Sequence, residues 1–159
     1  VGTDPVHKLF GVGMTGAALS TGFMALVWGL DRMLGRPEIT ANYVGIVRVV
    51  GACLAGAGLL LHGWTGFTLR HWWLDGRLCK EGPFRFFHHP MYAAWITFIG
   101  LGIPLLLNAW VFLLWPVMVH PLWHRLVQRE EQMMESLFGE EYRTYAERTP
   151  RFVPRFRRG

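Results

Sequence analysis

Residues 91–123 read MYAAWITFIGLGIPLLLNAWVFLLWPVMVHPLW and contain no Asp, Glu, Lys or Arg. About 20 apolar residues cross a bilayer as a helix, so this run is too long for one span. Pro104 and Asn108 offer a break inside it. The run therefore predicts two spans, about 91–107 and about 109–123. Residues 11–30 carry no charge, and residues 43–69 carry only Arg48. Together these stretches predict an all-α integral membrane helical bundle with about four transmembrane helices. No βαβ unit is visible, so no Rossmann domain is expected. Residues 11–16 spell GxGxxG, but they lie inside a span with no strand before them, and the nucleotide reading fails on context.

The remaining composition agrees. The chain has 159 residues, 52% hydrophobic and 17% charged, which fits one membrane domain over 1–159. Residues 1–77 supply two spans and a loop, and residues 78–154 hold the polar motifs. The net charge of +5 does not indicate nucleic acid, because the basic residues flank spans and form no patch on a soluble scaffold. Lys8, Arg70, Arg77, Lys80, Arg85, Arg125, Arg129 and the tail ending at Arg158 share one side. Arg32 and Arg36, offset by Asp31 and Glu38, hold the other. The positive-inside bias then predicts a multi-pass protein with both termini in the cytoplasm. Trp28, Trp64, Trp72, Trp73, Trp110 and Trp123 fall near span ends, where interfacial rings collect. The first run is too long for a signal-peptide core, and no cleavable signal is expected; the start at Val1 leaves room for a preceding segment. Cys53 and Cys79 make no disulfide framework. The small residues Ala18, Gly22, Gly51, Ala55, Gly56 and Gly58 suit close helix packing in lipid.

Two polar clusters adjoin these spans. The first is GPFRFFHHPMY, residues 82–92. Gly82-Pro83 is turn chemistry, and Pro90 suits the first turn of a helix, which puts His89 at its start. Lys80, Arg85, His88 and His89 supply positive potential for a ligand carboxylate. Phe84, Phe86, Phe87 and Tyr92 offer ring faces, which attract a cationic centre. The second cluster lies on an amphipathic cytoplasmic helix expected over 121–148 with a break near Gly139. At 100° per residue Leu122, Leu126, Met133, Met134 and Leu137 share a face; Glu130 lies in its middle and Glu131 at its edge. A carboxylate there needs a partner, either a basic side chain or a ligand's ammonium or hydroxyls. The expectation is that both clusters meet at the cytoplasmic side and form one site, with the lipid bilayer and lipophilic molecules as surroundings.

These residues resemble a known pattern. Membrane methyltransferases of the isoprenylcysteine carboxyl methyltransferase type, and their phospholipid methyltransferase relatives, carry GPY-x-x-x-RHP-x-Y at the start of a helical hairpin. A Glu-Glu pair, an FG-x-EY-x-x-Y segment and an R-x-P-R-x-x-P element follow. Here the counterparts are residues 82–92, Glu130 with Glu131 after Arg129, FGEEYRTY at 138–145, and RTPRFVP at 148–154. The likeness covers residues 78–154. It implies S-adenosylmethionine as cofactor, held by Lys80, Gly82, Arg85, His88, His89, Pro90, Tyr92, Glu130 and Glu131. It also implies methyl transfer to a lipophilic or membrane-delivered acceptor, a carboxylate, amine or thiol, near Arg125 or Arg129. His88 stands where the pattern has arginine, and could act as a base for an amine acceptor.

Two other readings compete. A catalytically inactive accessory subunit of a larger membrane complex would suit the His88 departure, with other membrane proteins as partners. A haem or metal protein would use His62, or His120 and His124 at i, i+4; without acidic or cysteine partners this spacing is weak, and no metal site is expected.

Overall fold

The computed structural model describes residues 5–72 and 77–153. Trp73, Pro154 and the basic tail ending at Arg158 lie outside the described residues, as do the side chains of 5–12, Lys8 included, and of 71. Among the described residues there is no strand longer than a single bridge, and the chain is a bundle of helices.

Helix α1 (Pro5–Met33) and helix α2 (Val44–Trp72) each run 29 residues, about 44 Å at the helical rise, enough to cross the hydrocarbon with turns to spare. Helix α1 ends where the backbone turns left-handed at Gly35 (φ 76°) and Arg36 (φ 58°). Arg36 N–H donates to Asp31 O and Gly35 N–H to Arg32 O, so the last carbonyls are satisfied in a Schellman pattern.

The 91–123 run divides where expected. Helix α3 (Pro90–Ala93) passes through a π-helical stretch (Ala94–Ile99) into helix α4 (Gly100–Leu107). The chain then reverses at Asn108, in the left-handed region at φ 55°. The Asn108 side chain donates to Thr40 O at 2.8 Å and Glu38 Oε2 at 3.3 Å, and accepts from Thr40 N–H. These bonds tie the reversal to the loop between α1 and α2. Asp31 sits at that end too. Counted in the sequence with Glu38 as offsetting Arg32 and Arg36, it lies in the last turns of α1 and is buried at 4% exposure.

A short 3₁₀ turn (Trp110–Leu113) leads into helix α5 (Leu114–Phe138), and helix α6 (Glu140–Arg148) follows a break at Gly139 (φ 55°). The break matches the sequence reading, but the expected separation of a fourth span from a helix beginning at 121 does not occur. Pro121 sits inside one continuous α5. Among the described residues, three helical stretches are long and apolar enough to cross a membrane, 13–33, 44–70 and 90–107. The fourth apolar stretch forms the first half of α5, whose second half is polar.

Small residues set the packing. A side-chain carbon on Gly102 would lie 2.6 Å from the Ala55 backbone nitrogen, and Gly51 stands against the backbone of Leu106, so α2 and α4 touch through their main chains. Gly58 faces Ala94 and Phe98 of the π stretch. Gly22 and Gly56 face nothing within 4 Å, so of the small residues read as packing surface only part is used within the chain. Gly16 admits the Trp123 ring, whose indole N–H donates to Ser20 Oγ at 2.9 Å. Trp123 is therefore a core residue (6% exposed) rather than an interfacial one.

Candidate active site

The buried stripe of α5 runs Val119, Trp123, Val127 and Glu130, at spacings of four, four and three. Continuing the stripe puts Glu130 inside the bundle, opposite the start of α3. Tyr92 O–H donates to Glu130 Oε1 at 2.8 Å, and His89 Nδ1 lies 3.6 Å from Glu130 Oε2. Glu131, next on the helix, meets His88 Nε2 at 2.9 Å and His89 Nε2 at 3.3 Å, both at Oε1. The two polar clusters, some forty residues apart in sequence, thus meet side chain to side chain. His89 is the residue immediately before α3, as the Pro90 argument expects.

A third segment closes the arrangement. Residues 149–153 fold back from α6 across the cluster. Arg151 Nε donates to Glu131 Oε1 at 2.6 Å while its terminal nitrogen donates to Oε2, a bidentate pair. His88 N–H donates to Pro150 O at 3.0 Å, and His88 Nδ1 donates to Thr149 O at 2.9 Å. Thr97 Oγ1 donates to Phe152 O at 3.1 Å, which anchors this strap to the π stretch. Phe152 is 1% exposed, with ring centroids 4.8 Å from His124 and 5.9 Å from His89. Tyr145 O–H donates to Phe84 O at 2.7 Å and supports the 82–88 turn from beneath.

The environment separates the two carboxyls. Burial pushes Glu130 up to about 7; the Tyr92 hydrogen bond opposes the rise and the Glu131 charge adds to it. Burial would raise Glu131 too, but hydrogen bonds from His88, His89 and Arg151 outweigh it and hold Glu131 well below the usual carboxylate range. Burial pushes His89 down, against its hydrogen bond to Glu131. Adjacent acids driven apart in this way take different protonation roles.

Beside the cluster lies a cavity of about 630 Å³. His88, Glu131 and Arg151 line it, with Tyr142, Arg143 and Glu147 on the α6 side. His89, Tyr92, Pro90 and Glu130 stand behind that wall and hold Glu131 and the turn in place. The other expected site residues lie elsewhere. Lys80 pairs with Glu141 at 2.6 Å, both exposed. Gly82 (φ 54°) is a turn residue against Thr68 of α2, and Arg85 is exposed. Arg125 and Arg129 are exposed on α5, about 140° and about 100° around the helix from Glu130. The four rings do not form one cage: Tyr92 stacks with His89, Phe87 is core, Phe84 packs against α6, and Phe86 turns outward to Trp64. Of the histidines weighed for haem, His62 Nδ1 accepts from Trp95 N–H at 3.1 Å and His120 Nε2 lies 3.2 Å from Thr97 Oγ1. Arg151 is the residue that the sequence reading left out of the site. It stands in the RTPRFVP element, but only the return of the strap puts it on Glu131.

A family model described as phospholipid methyltransferase matches residues 45–141. The chain belongs to the phospholipid methyltransferase family. No curated protein matches it significantly. As a member of that family it is an integral membrane protein of a methyltransferase class, and the matched region runs from α2 to the first turn of α6. It contains His88, His89, Glu130 and Glu131. Tyr145 and Arg151 lie beyond it, so the strap completes a cluster whose other members fall within the family region.

Proposed function

We propose that this phospholipid methyltransferase family member is a membrane-embedded S-adenosylmethionine-dependent methyltransferase acting on a lipophilic or membrane-delivered acceptor from the cytoplasmic side. The observation that carries the reading is the cavity of about 630 Å³ against the His88–Glu131–Arg151 wall. Its size lies within the range of small-molecule and cofactor sites. Its walls offer both signs of charge: Arg151 and Arg143 suit the cofactor's carboxylate, and Glu131, Glu135 and Glu147 suit its ammonium and ribose hydroxyls. The cofactor supplies an electrophilic methyl group on a sulfonium.

The chain's own residues supply position and dryness. Arg151 locks Glu131 by two hydrogen bonds, so that carboxylate presents a fixed face to the cavity. His89 touches both Glu130 and Glu131 and keeps the pair in register. Phe152 and Trp123 exclude water behind the wall. Displacement at a methyl group gains chiefly from such alignment and water exclusion. The acceptor, a carboxylate, amine or thiol, reaches the site from the lipid between helices. The inactive-subunit alternative draws on His88 in place of arginine. Against it, Arg151 brings a guanidinium to Glu131 from another part of the chain.

Calorimetry with S-adenosylmethionine tests the reading. His89→Ala and Glu130→Gln should each weaken binding more than tenfold while the circular dichroism stays that of a folded bundle. Normal binding by both variants, or no binding to the unaltered chain at millimolar cofactor, overturns it. Labelled-methyl transfer into a total lipid extract then identifies the acceptor class.

A further inference from the structure

We propose that His88, His89 and Glu131 form a binding site for a divalent first-row metal ion of the zinc type. One donor atom from each, two ring nitrogens and a carboxylate oxygen, lie within 4.8 Å of one another. The separations to Glu131 Oε1 are 2.9 Å from His88 Nε2 and 3.3 Å from His89 Nε2. Ligands about 2.0–2.2 Å from a tetrahedral zinc stand roughly 3.3 Å apart, so a small contraction or expansion of the cluster would accommodate the ion.

The orientation of the rings is the stronger argument. His88 Nδ1 faces Thr149 O at 2.9 Å, and a carbonyl oxygen can only accept, so Nδ1 carries the hydrogen. Nε2 then meets the carboxylate oxygen through a proton, as in the hydrogen bond described above, or through a metal ion that replaces that proton. His89 turns Nε2 to the same oxygen at 3.3 Å, with Nδ1 3.6 Å from Glu130 Oε2. The two Nε2 atoms and the carboxylate oxygen converge on one point, where a metal ion can take the place of the ring protons that otherwise bridge them to Glu131. Metal-binding histidines characteristically give their second nitrogen to a backbone carbonyl or a carboxylate, and ligating carboxylates are themselves hydrogen-bonded. Here Thr149 and Arg151 supply those supports to His88 and Glu131, and Glu130 lies 3.6 Å from the second nitrogen of His89.

Two imidazoles and one carboxylate suit zinc and its neighbours better than magnesium or calcium, which prefer oxygen alone. Three protein ligands leave a fourth position for water or for a donor atom from the cavity that His88 and Glu131 line. The site also gives a chemical meaning to histidine at position 88. Arginine there could not ligate, whereas histidine completes the set.

The inference stands on this cluster and not on the cofactor reading. The test is therefore run first on purified, chelator-stripped full chain with metal alone. Cobalt(II) should bind one to one and give the visible absorption of a low-coordinate nitrogen–oxygen site, and zinc should displace it. Both His88→Arg and Glu131→Gln should lose the band and weaken zinc binding at least a hundredfold, while His62→Ala keeps both. Should Glu131→Gln unfold, His88→Arg alone decides, since its guanidinium cannot ligate yet still pairs with Glu131. No stoichiometric cobalt band, or a band that persists in His88→Arg, overturns the proposal and leaves the ring protons as the bridge to Glu131. S-adenosylmethionine binding to the same stripped protein is measured separately, so that loss of one reading is distinguishable from loss of the other.

Discussion

Truncating Phe152 should release the strap without melting the bundle. Its side chain is 1% exposed among Phe87, Val119, Trp123 and Val127. Phe→Ala in a rigid core costs about 3–5 kcal/mol, equivalent to about a hundredfold to several thousandfold in an equilibrium. A core that cannot collapse would bear that cost as lost global stability. Phe152 lies instead on a short segment held by Arg151 to Glu131, Thr97 to the Phe152 carbonyl, and the His88 amide to Pro150 O. Segments with few anchors open locally before the whole structure does. The His88 amide donates to the strap and is its natural reporter. In Phe152→Ala its hydrogen exchange, followed by mass spectrometry or NMR in micelles, should accelerate at least a hundredfold. Amides at 51–58, in the α2–α4 contact, should exchange at the wild-type rate. Exchange at His88 within threefold of wild type would refute the strap's dependence on this ring. If the alanine variant unfolds outright, Phe152→Leu should show the same selectivity at smaller amplitude.

Other outcomes follow from the packing and the loops. Gly102→Leu puts a side chain 2.6 Å from the Ala55 backbone, so it should lower the melting temperature by an overpacking cost of about 1–3 kcal/mol or more; Gly22→Leu, with nothing within 4 Å, should leave it unchanged. Asn108→Ala loses the bonds to Thr40 and Glu38 and should destabilise by about 1–3 kcal/mol in thermal or denaturant unfolding. Asn108→Gly, which tolerates φ 55°, should lie between the alanine variant and the parent. Cys79 should be labelled by an impermeant maleimide only from the cytoplasmic face, and Cys53, inside α2, from neither; labelling from the opposite face reverses the proposed orientation. Burial pushes the Cys79 thiol up, so its labelling at pH 8 should lag that of free cysteine and catch up as the pH rises and the thiolate forms.

Several elements were legible because local chemistry decides them. The reversal at Asn108 was readable from an uncharged run too long for one span, and the break at Gly139 from a glycine in an otherwise helical pattern. His89 at the head of α3 followed from Pro90, and Glu130 in the buried stripe followed from helical periodicity. Other elements were not legible. Pro121 did not end a helix, because α5 continues through it and packs against α1. The π stretch has no breaker residue to announce it; Gly58 of α2 faces it at close range. Lys80, Arg85, Arg125 and Arg129 look like site cations in sequence, but a cation's destination depends on which face its element turns inward, and all four are exposed. Arg151 was left out of the site although it stands in the RTPRFVP element, because only the return of the strap places it on Glu131.

The order of residues alone determined that this chain is a helical membrane protein. Uninterrupted apolar length has to be buried in lipid, and every backbone donor and acceptor there has to be satisfied within its own helix. It also marked His88, His89, Glu130 and Glu131 as costly polar residues in an apolar setting. Only the tertiary structure decided how those residues are compensated. Partnership between groups forty or sixty positions apart depends on the angle at which helices pack and on the path of the segment that returns across them. That path brings Arg151 and the Thr149 carbonyl to the cluster.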